Sequence, residues 1–317
     1  QTTVKYVILT LKADNRGEGG IFSLFALVRR RKKWLVIPAM IGGAALLSDG
    51  IITPPISITS AIEGLKELPQ FHDLSQNTIV YIVLGIIAIF FFAQQFGTSS
   101  IGKLFGPFMS VWFGMLAILG LVHLSDDFTI FRALNPYYGI RFLVTYPEGF
   151  WLLGAVFLCT TGAEALYSDL GHCGRGNIRI SWIFVKTCLL INYFGQGASI
   201  LKHHSGKLLD KATIDAEGIN AFYDLMPNWF IVPGVIVATS AAIIASQAMV
   251  SGSFTLISEA IRLNLWPKLK INYPTEAKGQ IFIPAINTLL FAGCVGVVLF
   301  FRESSKMEAA YGLAIIT

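Results

Sequence analysis

The sequence predicts an all-α polytopic membrane protein, a bundle of spanning helices. Of its 317 residues, 54% are hydrophobic and 14% are charged, with a mean hydropathy of +0.63. Soluble domains average about 25% charged residues. The apolar residues fall into long blocks separated by short polar stretches. Because lipid offers no partner to backbone N–H and C=O groups, spanning segments form helices or closed barrels, and blocks of this length without ten-residue alternation favour helices.

Seven blocks are near or above the roughly 20 residues needed to cross about 30 Å of hydrocarbon. In chain order they cover 35–61, 77–93, 105–124, 150–167, 183–200, 230–257 and 281–301. No hydrophilic block is large enough for a separate domain, so residues 1–317 are predicted to form a single transmembrane core. Half-length apolar runs, VKYVILTL and AAYGLAIIT, stand near the two ends, and we expect the chain to be part of a longer protein.

The distribution of basic residues predicts the orientation. Alternate loops, starting with residues 12–34, carry 14 Lys and Arg, and the other set carries 8. The run RRRKK at 29–33 directly precedes a span, and basic residues near span ends favour the cytoplasm. Residues 12–34 are therefore expected inside and residues 203–224 outside. Cytoplasmic basic loops also account for the net charge of +5, so no nucleic-acid partner is expected.

Two of the 19 acidic residues, Asp49 and Glu164, lie within the apolar blocks rather than in loops or at span edges. An ionisable group near the bilayer centre costs about 2.5–3.5 kcal/mol on insertion scales and usually faces a bundle interior or a polar cavity. Both residues are therefore candidates for function. The alternative is a structural ion pair with Lys186, although Lys186 lies within a turn of a span end and can snorkel to the membrane surface.

Hydroxyl side chains recur at helical spacing around Asp49. Thr53 and Ser57 follow it at i+4 and i+8, so a continuous helix stacks a carboxylate and two hydroxyls on one face. Pro54 and Pro55 remove two backbone donors and leave earlier carbonyls without helical partners. Freed carbonyls at membrane depth are tolerated where they line a cavity or are satisfied internally.

A similar pattern precedes Glu164, where Thr160 and Thr161 stand at i−4 and i−3 and Gly162 weakens the helix. Any one of these hydroxyls could instead bond the preceding turn. Carboxylate, hydroxyl and carbonyl oxygens suit hard cations. The sequence therefore predicts a cation site within the membrane, with oxygens that can replace the hydration shell of an alkali ion.

Enzymatic chemistry finds no support in the sequence. The four cysteines show no paired spacing, and no His or Cys cluster suggests zinc, copper or haem. HExxH and GxSxG motifs are absent. The stretch ADNRGEGGIF at 13–22 is glycine-rich but matches neither a phosphate loop nor a dinucleotide fingerprint. No enzymatic activity and no cofactor are expected.

Four stretches occur in order over nearly the whole chain: LKADNRGEGGIFSL, SDGIITPPISITSAIEGL, TTGAEALYSDLGHCG and MVSGSFTLISEAIRLNLWPKL. Together they resemble the KUP/HAK/KT family of potassium uptake permeases. The resemblance implies potassium transport in the plasma membrane, which in a bacterium is the inner membrane. It also implies a fold like that of the amino acid–polyamine–cation superfamily, with two inverted repeats of five helices and broken first and sixth helices. By that register the predicted spans are helices three to nine, and the family's first helix and C-terminal region are expected outside this sequence.

Carried over to matching positions, the resemblance implies that Asp49, Thr53, Ser57, Thr161 and Glu164 bind potassium. The family typically couples potassium entry to protons, which implies a carboxylate as proton carrier. Glu164 is the expected carrier, and Asp49 is the alternative. The second proline of TPPIS stands where the family more often has a small residue, so the local kink can differ. A homodimer of the full-length protein is left open.

Other functions remain open, namely an amino acid permease or a permease for another cation on the same fold, or a channel. Asp49 and Glu164 would repel the carboxylate of an amino acid, and no filter-like TVGYG segment is present.

In the stretch 249–261, the small residues Ser251, Gly252 and Ser253 are expected to be structural, because small residues let membrane helices approach closely. A second cation site there is the alternative.

Overall fold

The fold is that of a computed structural model of the chain. It describes residues 2–15, 19–29, 32–68, 71, 73–96, 99–146, 149–159, 162, 167, 170, 174–206, 213–214, 219–274 and 281–316.

The described residues form ten α-helices, which we number in chain order. They are α1 (Ile21–Val28), α2 (Val36–Glu63), α3 (Gln76–Ala93), α4 (Ser99–Leu124), α5 (Pro136–Thr145), α6 (Gly149–Leu158), α7 (Arg175–His203), α8 (Ile231–Arg262), α9 (Pro284–Phe301) and α10 (Ser304–Ile316). A π-helix covers Thr3–Leu9, and short 3₁₀-helices cover Thr10–Lys12, Lys33–Leu35, Gly64–Glu67, Gln94–Phe96, Phe128–Leu134 and Tyr223–Leu225. Within the part of the chain described, β structure is limited to bridges, one of which pairs Asn272 with Phe282. The prediction of an all-helical protein is confirmed for these residues.

Among the described residues, six helical stretches are long and apolar enough to cross a membrane. They are Lys33–Glu67, Gln76–Phe96, Leu104–Leu124, Arg175–His203, Ile231–Arg262 and Pro284–Phe301. Each overlaps one of the predicted spans. The remaining predicted span, 150–167, begins with the ten-residue helix α6, and most of its second half lies outside the described residues.

Local signals explain several of the helix ends. The side chain of Ser75 accepts a hydrogen bond from Thr78 N–H at the start of α3, which satisfies a donor that the helix leaves unpaired. Pro284 occupies the first turn of α9, where its missing N–H costs nothing. Arg302 ends that helix in the left-handed conformation, with φ of 65°.

Helix α2 lies at the centre of one helix pack. It contacts α1, α3, α8, α9 and α10 along its length. The largest apolar core is shared by α2, α3, α8 and α9, and it includes Ile58, Ile79, Val83, Val250 and Leu290. This arrangement buries one side of the middle of α2, which includes Asp49, Gly50 and Thr53.

A second pack pairs α4 with α7 through very close backbone contact. A Cβ on Gly120 would lie 2.5 Å from the carbonyl oxygen of Ile191, and a Cβ on Gly195 would lie 2.4 Å from that of Gly120. Beside this crossing, Asn192 donates a hydrogen bond of 3.0 Å to the Leu116 carbonyl. Small residues and buried amides of this kind hold membrane helices together.

The two packs join at one end of the bundle. Tyr223 donates a hydrogen bond of 3.0 Å to the carbonyl of Ala61 and packs directly on Gly64. At the same end, Lys202 and then His123 hydrogen-bond to Asp126 and hold the pKa of its carboxyl below the usual value. The loops 62–76, 125–149 and 201–229 therefore meet on one side.

The glycine-rich stretch found in the sequence packs at the other end. Tyr167 donates a hydrogen bond of 2.6 Å to the Ala13 carbonyl, and Arg175 forms an ion pair of 2.7 Å with Asp14. Ser23 donates to Glu259 near the end of α8, at 3.2 Å. These contacts bring loop 12–34 together with residues that follow the spans 150–167 and 230–257.

Candidate functional site

The predicted cation site begins at Asp49, near the midpoint of the 28-residue helix α2. Its side chain is buried, with 4% of the residue exposed. Because α2 is surrounded by five other helices, this carboxylate faces the bundle interior rather than lipid. That is where an ionisable residue of a membrane helix is expected when it is functional.

Thr53 lies one turn further along α2 and contacts Asp49 directly. Its hydroxyl donates a hydrogen bond of 2.5 Å to Asp49 Oδ1, and Thr53 is itself buried. The i+4 spacing brings a carboxylate and a hydroxyl together, because residues four apart lie on the same face of a helix. Ser57, one turn beyond Thr53, is half-buried.

The prolines do not interrupt α2, which is continuous from Val36 to Glu63. Pro55 has no N–H to offer the carbonyl of Ile51, four residues earlier. The thiol of Cys294 on α9 fills this place, with its sulfur 3.2 Å from the Ile51 oxygen. A donor from a neighbouring helix thus satisfies a carbonyl that the sequence leaves free, and the helix continues through the proline pair.

Two other helices approach α2 closely on either side of this turn. A Cβ on Gly50 would lie 2.6 Å from the hydroxyl oxygen of Ser253, which belongs to α8. A Cβ on Gly293 of α9 would lie 2.8 Å from the Ile51 side chain. Ser253 is fully buried and donates to the carbonyl of Met249 at 3.0 Å. These contacts support a structural role for Ser253, and they fix the turn that carries Asp49 between α8 and α9.

The second half of the predicted site, Thr160, Thr161 and Glu164, lies outside the described residues. Its flanks are described. Helix α6 ends at Leu158, and Gly162 has φ of 85°, a left-handed conformation that favours glycine. A right-handed α-helix does not continue through such a residue.

Lys186, the proposed partner in a structural ion pair, is exposed on α7. Among the described residues, no group of three or more His, Cys, Asp or Glu side chains is placed to hold a metal ion. The donors that the structure does bring together at α2 are a carboxylate and a hydroxyl, which suit a hard cation.

Sequence reasoning missed Cys294. The free carbonyl of Ile51 could be anticipated from Pro55, but its partner comes from a helix more than 240 residues later. A buried cysteine without spacing signals is read as a packing residue.

Comparison with known proteins identifies one family over the whole chain. The family model described as "K+ potassium transporter integral membrane domain" matches residues 1–317. A protein named "Probable potassium transport system protein Kup" from Flavobacterium psychrophilum is 61% identical over 317 residues, which is 100% of this chain and 47% of the relative. Proteins of the same name from Cytophaga hutchinsonii and Clostridium perfringens are 62% and 57% identical over 99% of the chain and 47% of each relative. The chain thus spans about half the length of these relatives. No solved structure matches it.

Proposed function

The chain belongs to the family of potassium transporters whose integral membrane domain it matches, and from that premise we propose that the protein carries potassium ions across the membrane. The family consists of transport proteins rather than enzymes. Its described residues include six helices long and apolar enough to span, so the chain is a multi-pass membrane protein.

The observation that carries the proposal is the buried pair of Asp49 and Thr53 at the centre of the α2 pack. An ionised carboxylate compensates the charge of the ion in a region where lipid cannot. A hydroxyl has one proton and two lone pairs, so Thr53 can donate to Asp49 and still offer oxygen to the ion. The pair therefore supplies both charge and ligands to a hard monovalent cation.

We propose that Ser57, Thr161 and Glu164 complete the potassium site. Ser57 continues the Asp49 face of α2 by one more turn. Thr161 and Glu164 stand on either side of Gly162 in the sequence, and a right-handed α-helix does not continue through the left-handed backbone of that glycine. The break at Gly162 supports a site built in part from an interrupted helix, as in transporters that bind ions at the midplane.

Coupling to protons forms part of the proposal. A carboxylate desolvated inside a bundle favours its neutral form, which lets it take up and release a proton as its surroundings change. Glu164 is the proposed carrier, because Thr53 holds Asp49 in a state suited to the cation. Exchange between outward-open and inward-open states of an inverted-repeat bundle would move both ions in the same direction.

The test is potassium uptake by the full-length protein, in a transporter-deficient strain at limiting potassium and in proteoliposomes with an inward proton gradient. Asp49→Asn should abolish uptake, since it removes the charge that compensates the ion. Glu164→Gln should still bind potassium but lose the acceleration by the proton gradient. Ser48→Ala is the matched control: it removes an exposed hydroxyl, bonded to its own helix at Ala44, from the residue beside Asp49.

Normal growth of the Asp49→Asn strain at limiting potassium would refute the site. If the Glu164→Gln variant still accumulates potassium fully in response to the proton gradient, the proton carrier is Asp49 or a carboxylate outside this chain.

A further inference from the structure

Helix α5 is a well-formed helix that the rest of the described chain does not cover. Every residue of Pro136–Thr145 is exposed. Local signals start and end it: Asn135 accepts a hydrogen bond of 3.0 Å from Tyr137 N–H, Pro136 occupies the first turn, and Tyr146 N–H donates to Phe142. Isolated helices shorter than about 12–15 residues are marginal in water. A ten-residue helix therefore needs a surface to lie on.

The exposed side of α5 is apolar. Tyr137, Ile140 and Val144 recur at i, i+3 and i+7 and form one stripe, and they are 58%, 62% and 82% exposed. Helix α6 takes the other side, where Gly149 packs against Phe142 and Leu143. The stripe therefore points away from the described part of the chain.

The segment before α5 returns into the membrane zone. Helix α4 ends at Leu124, and the 3₁₀-helix Phe128–Leu134 then packs along α7. Ile130 lies against Gly197, and the ring of Phe131 is centred 5.6 Å from that of Phe194.

The contacts of Ile130 and Phe131 with α7 set the depth of this segment in the membrane. Helix α7 ends at His203, so Gly197 and Phe194 lie about 9 and 14 Å below its end at 1.5 Å per residue. Because Phe131 meets a deeper position on α7 than Ile130 does, the chain descends along α7 here, and we place α5, which follows, at the level of the leaflet and not above it. At about 15 Å, α5 is too short to cross roughly 30 Å of hydrocarbon.

Residues 128–146 have a composition typical of segments at the boundary between lipid head groups and acyl chains. Aromatic side chains at 128, 131, 137, 138, 142 and 146 are all exposed, and aromatic residues concentrate at that level of a membrane. Arg132 and Arg141 are the charged residues of 128–146, and both are exposed. Arginine pairs with phosphate through a bidentate fork, and its stem reaches along apolar surface.

We propose that α5 is an interfacial anchor that lies in the leaflet on the side of loops 125–149 and 201–229, which the basic residues predict to be the outer one, with the Tyr137–Ile140–Val144 stripe against acyl chains and Arg132 and Arg141 at phospholipid phosphates. The proposal concerns a lipid partner and stands independently of the potassium site. Because α5 packs on the start of α6, the anchor also holds the helix that leads to Gly162.

The experiment places a nitroxide label at Ile140, Val144 or Thr145 of the full-length protein in lipid nanodiscs. Collision with oxygen, which enters lipid, is compared with collision with a water-soluble nickel complex. Labels at Ile140 and Val144 should show a several-fold higher oxygen-to-nickel ratio than the label at Thr145, which lies about 100° further round the helix from Val144. Removing both guanidinium groups with Arg132→Gln and Arg141→Gln should lower the ratio at Val144 in nanodiscs containing anionic phospholipid.

Equal, nickel-dominated ratios at all three positions would put the stripe in water and overturn the proposal. Protection from both reagents would mean that protein covers α5. In that case, disulfide cross-linking through Val144→Cys would identify a second copy as the cover, and its absence would identify another part of the same chain.

Discussion

At the scale of single residues, the turn that carries Asp49 depends on side chains from three helices. Thr53 restrains the carboxylate, Ser253 occupies the space that Gly50 leaves, and Cys294 satisfies the Ile51 carbonyl. Of these, Cys294 has the most specific task. A buried carbonyl without a partner costs about 1–3 kcal/mol, and Pro55 would leave Ile51 in that state.

Cys294→Ala should therefore destabilise the full-length protein by about 1–3 kcal/mol, because it removes the donor to Ile51. Cys294→Ser keeps a donor of similar size and should remain within about 1 kcal/mol of the parent. Thermal unfolding in detergent measures the stability, and the potassium concentration at half-maximal uptake measures the geometry at Asp49. We expect the half-maximal potassium concentration to rise in Cys294→Ala and to return to the parent value in Cys294→Ser.

Cys188→Ala provides the control, since Cys188 is also buried but lies on α7, away from α2. It should leave the half-maximal potassium concentration unchanged. Identical behaviour of the alanine and serine variants at position 294 would show that the sulfur acts by packing and not as a donor.

At the scale of elements, close helix contact is achieved by glycine at both packs. In the α4–α7 pair the two backbones touch at Gly120 and Gly195, and no side chain can be added without moving a helix. Apolar side chains add little driving force between helices in lipid, so packing contacts and buried amides such as Asn192 carry the association. The amide chain continues to Gln196, which donates to Asn192 Oδ1 at 2.5 Å.

Gly120→Ala should cost about 1–3 kcal/mol, because the new methyl group would lie within 2.7 Å of three backbone atoms of α7. Gly114→Ala on the same helix is the matched control, since a Cβ there meets nothing within 4 Å. Alanine is about 1 kcal/mol better than glycine in a helix interior, so the control should be neutral or slightly stabilised. Thermal unfolding compares the stabilities of Gly120→Ala and Gly114→Ala, and equal stabilities would contradict the close contact at Gly120.

At the scale of the whole molecule, contacts between loops sort them into the two sets that alternate along the chain. Loops 62–76, 125–149 and 201–229 meet through Tyr223, Asp126 and Lys202. Glu63 adds the α9–α10 junction to this end by accepting hydrogen bonds from Ser304. Loop 12–34 meets Arg175 and Glu259 at the other end. The sides of the bundle are therefore consistent with alternating crossings, and the basic residues predict which side is cytoplasmic.

Cysteine labelling in intact cells tests this orientation. In a background with Cys159→Ser and Cys173→Ser, an impermeant reagent should modify Ser205→Cys rapidly and leave Lys32→Cys unmodified. Both positions are exposed in the folded chain, so access to the reagent depends on the side of the membrane. Permeabilised cells supply the control, because both positions should then react. Preferential labelling of Lys32→Cys in intact cells would invert the topology.

Much of this protein follows from local sequence. Long apolar blocks require helices because lipid cannot satisfy backbone groups, and the all-helical architecture bears this out in the described residues. The contact between Asp49 and Thr53 also follows from the sequence, since residues four apart share a helix face. Family membership was predictable from four motifs, because they occur in order along the whole chain.

Other features were decided only by tertiary structure. Sequence places two prolines in α2 but cannot say that the helix stays continuous, because the donor that replaces a missing N–H comes from Cys294, far along the chain. It cannot distinguish Gly120, which is in contact with α7, from Gly114, which is not, because that depends on where two helices cross. Helix α5 has clear local start and stop signals, yet its exposed stripe becomes visible only once the packing of Phe128–Leu134 on α7 fixes its depth. Periodicity and composition act within one segment, whereas these properties arise where two segments meet.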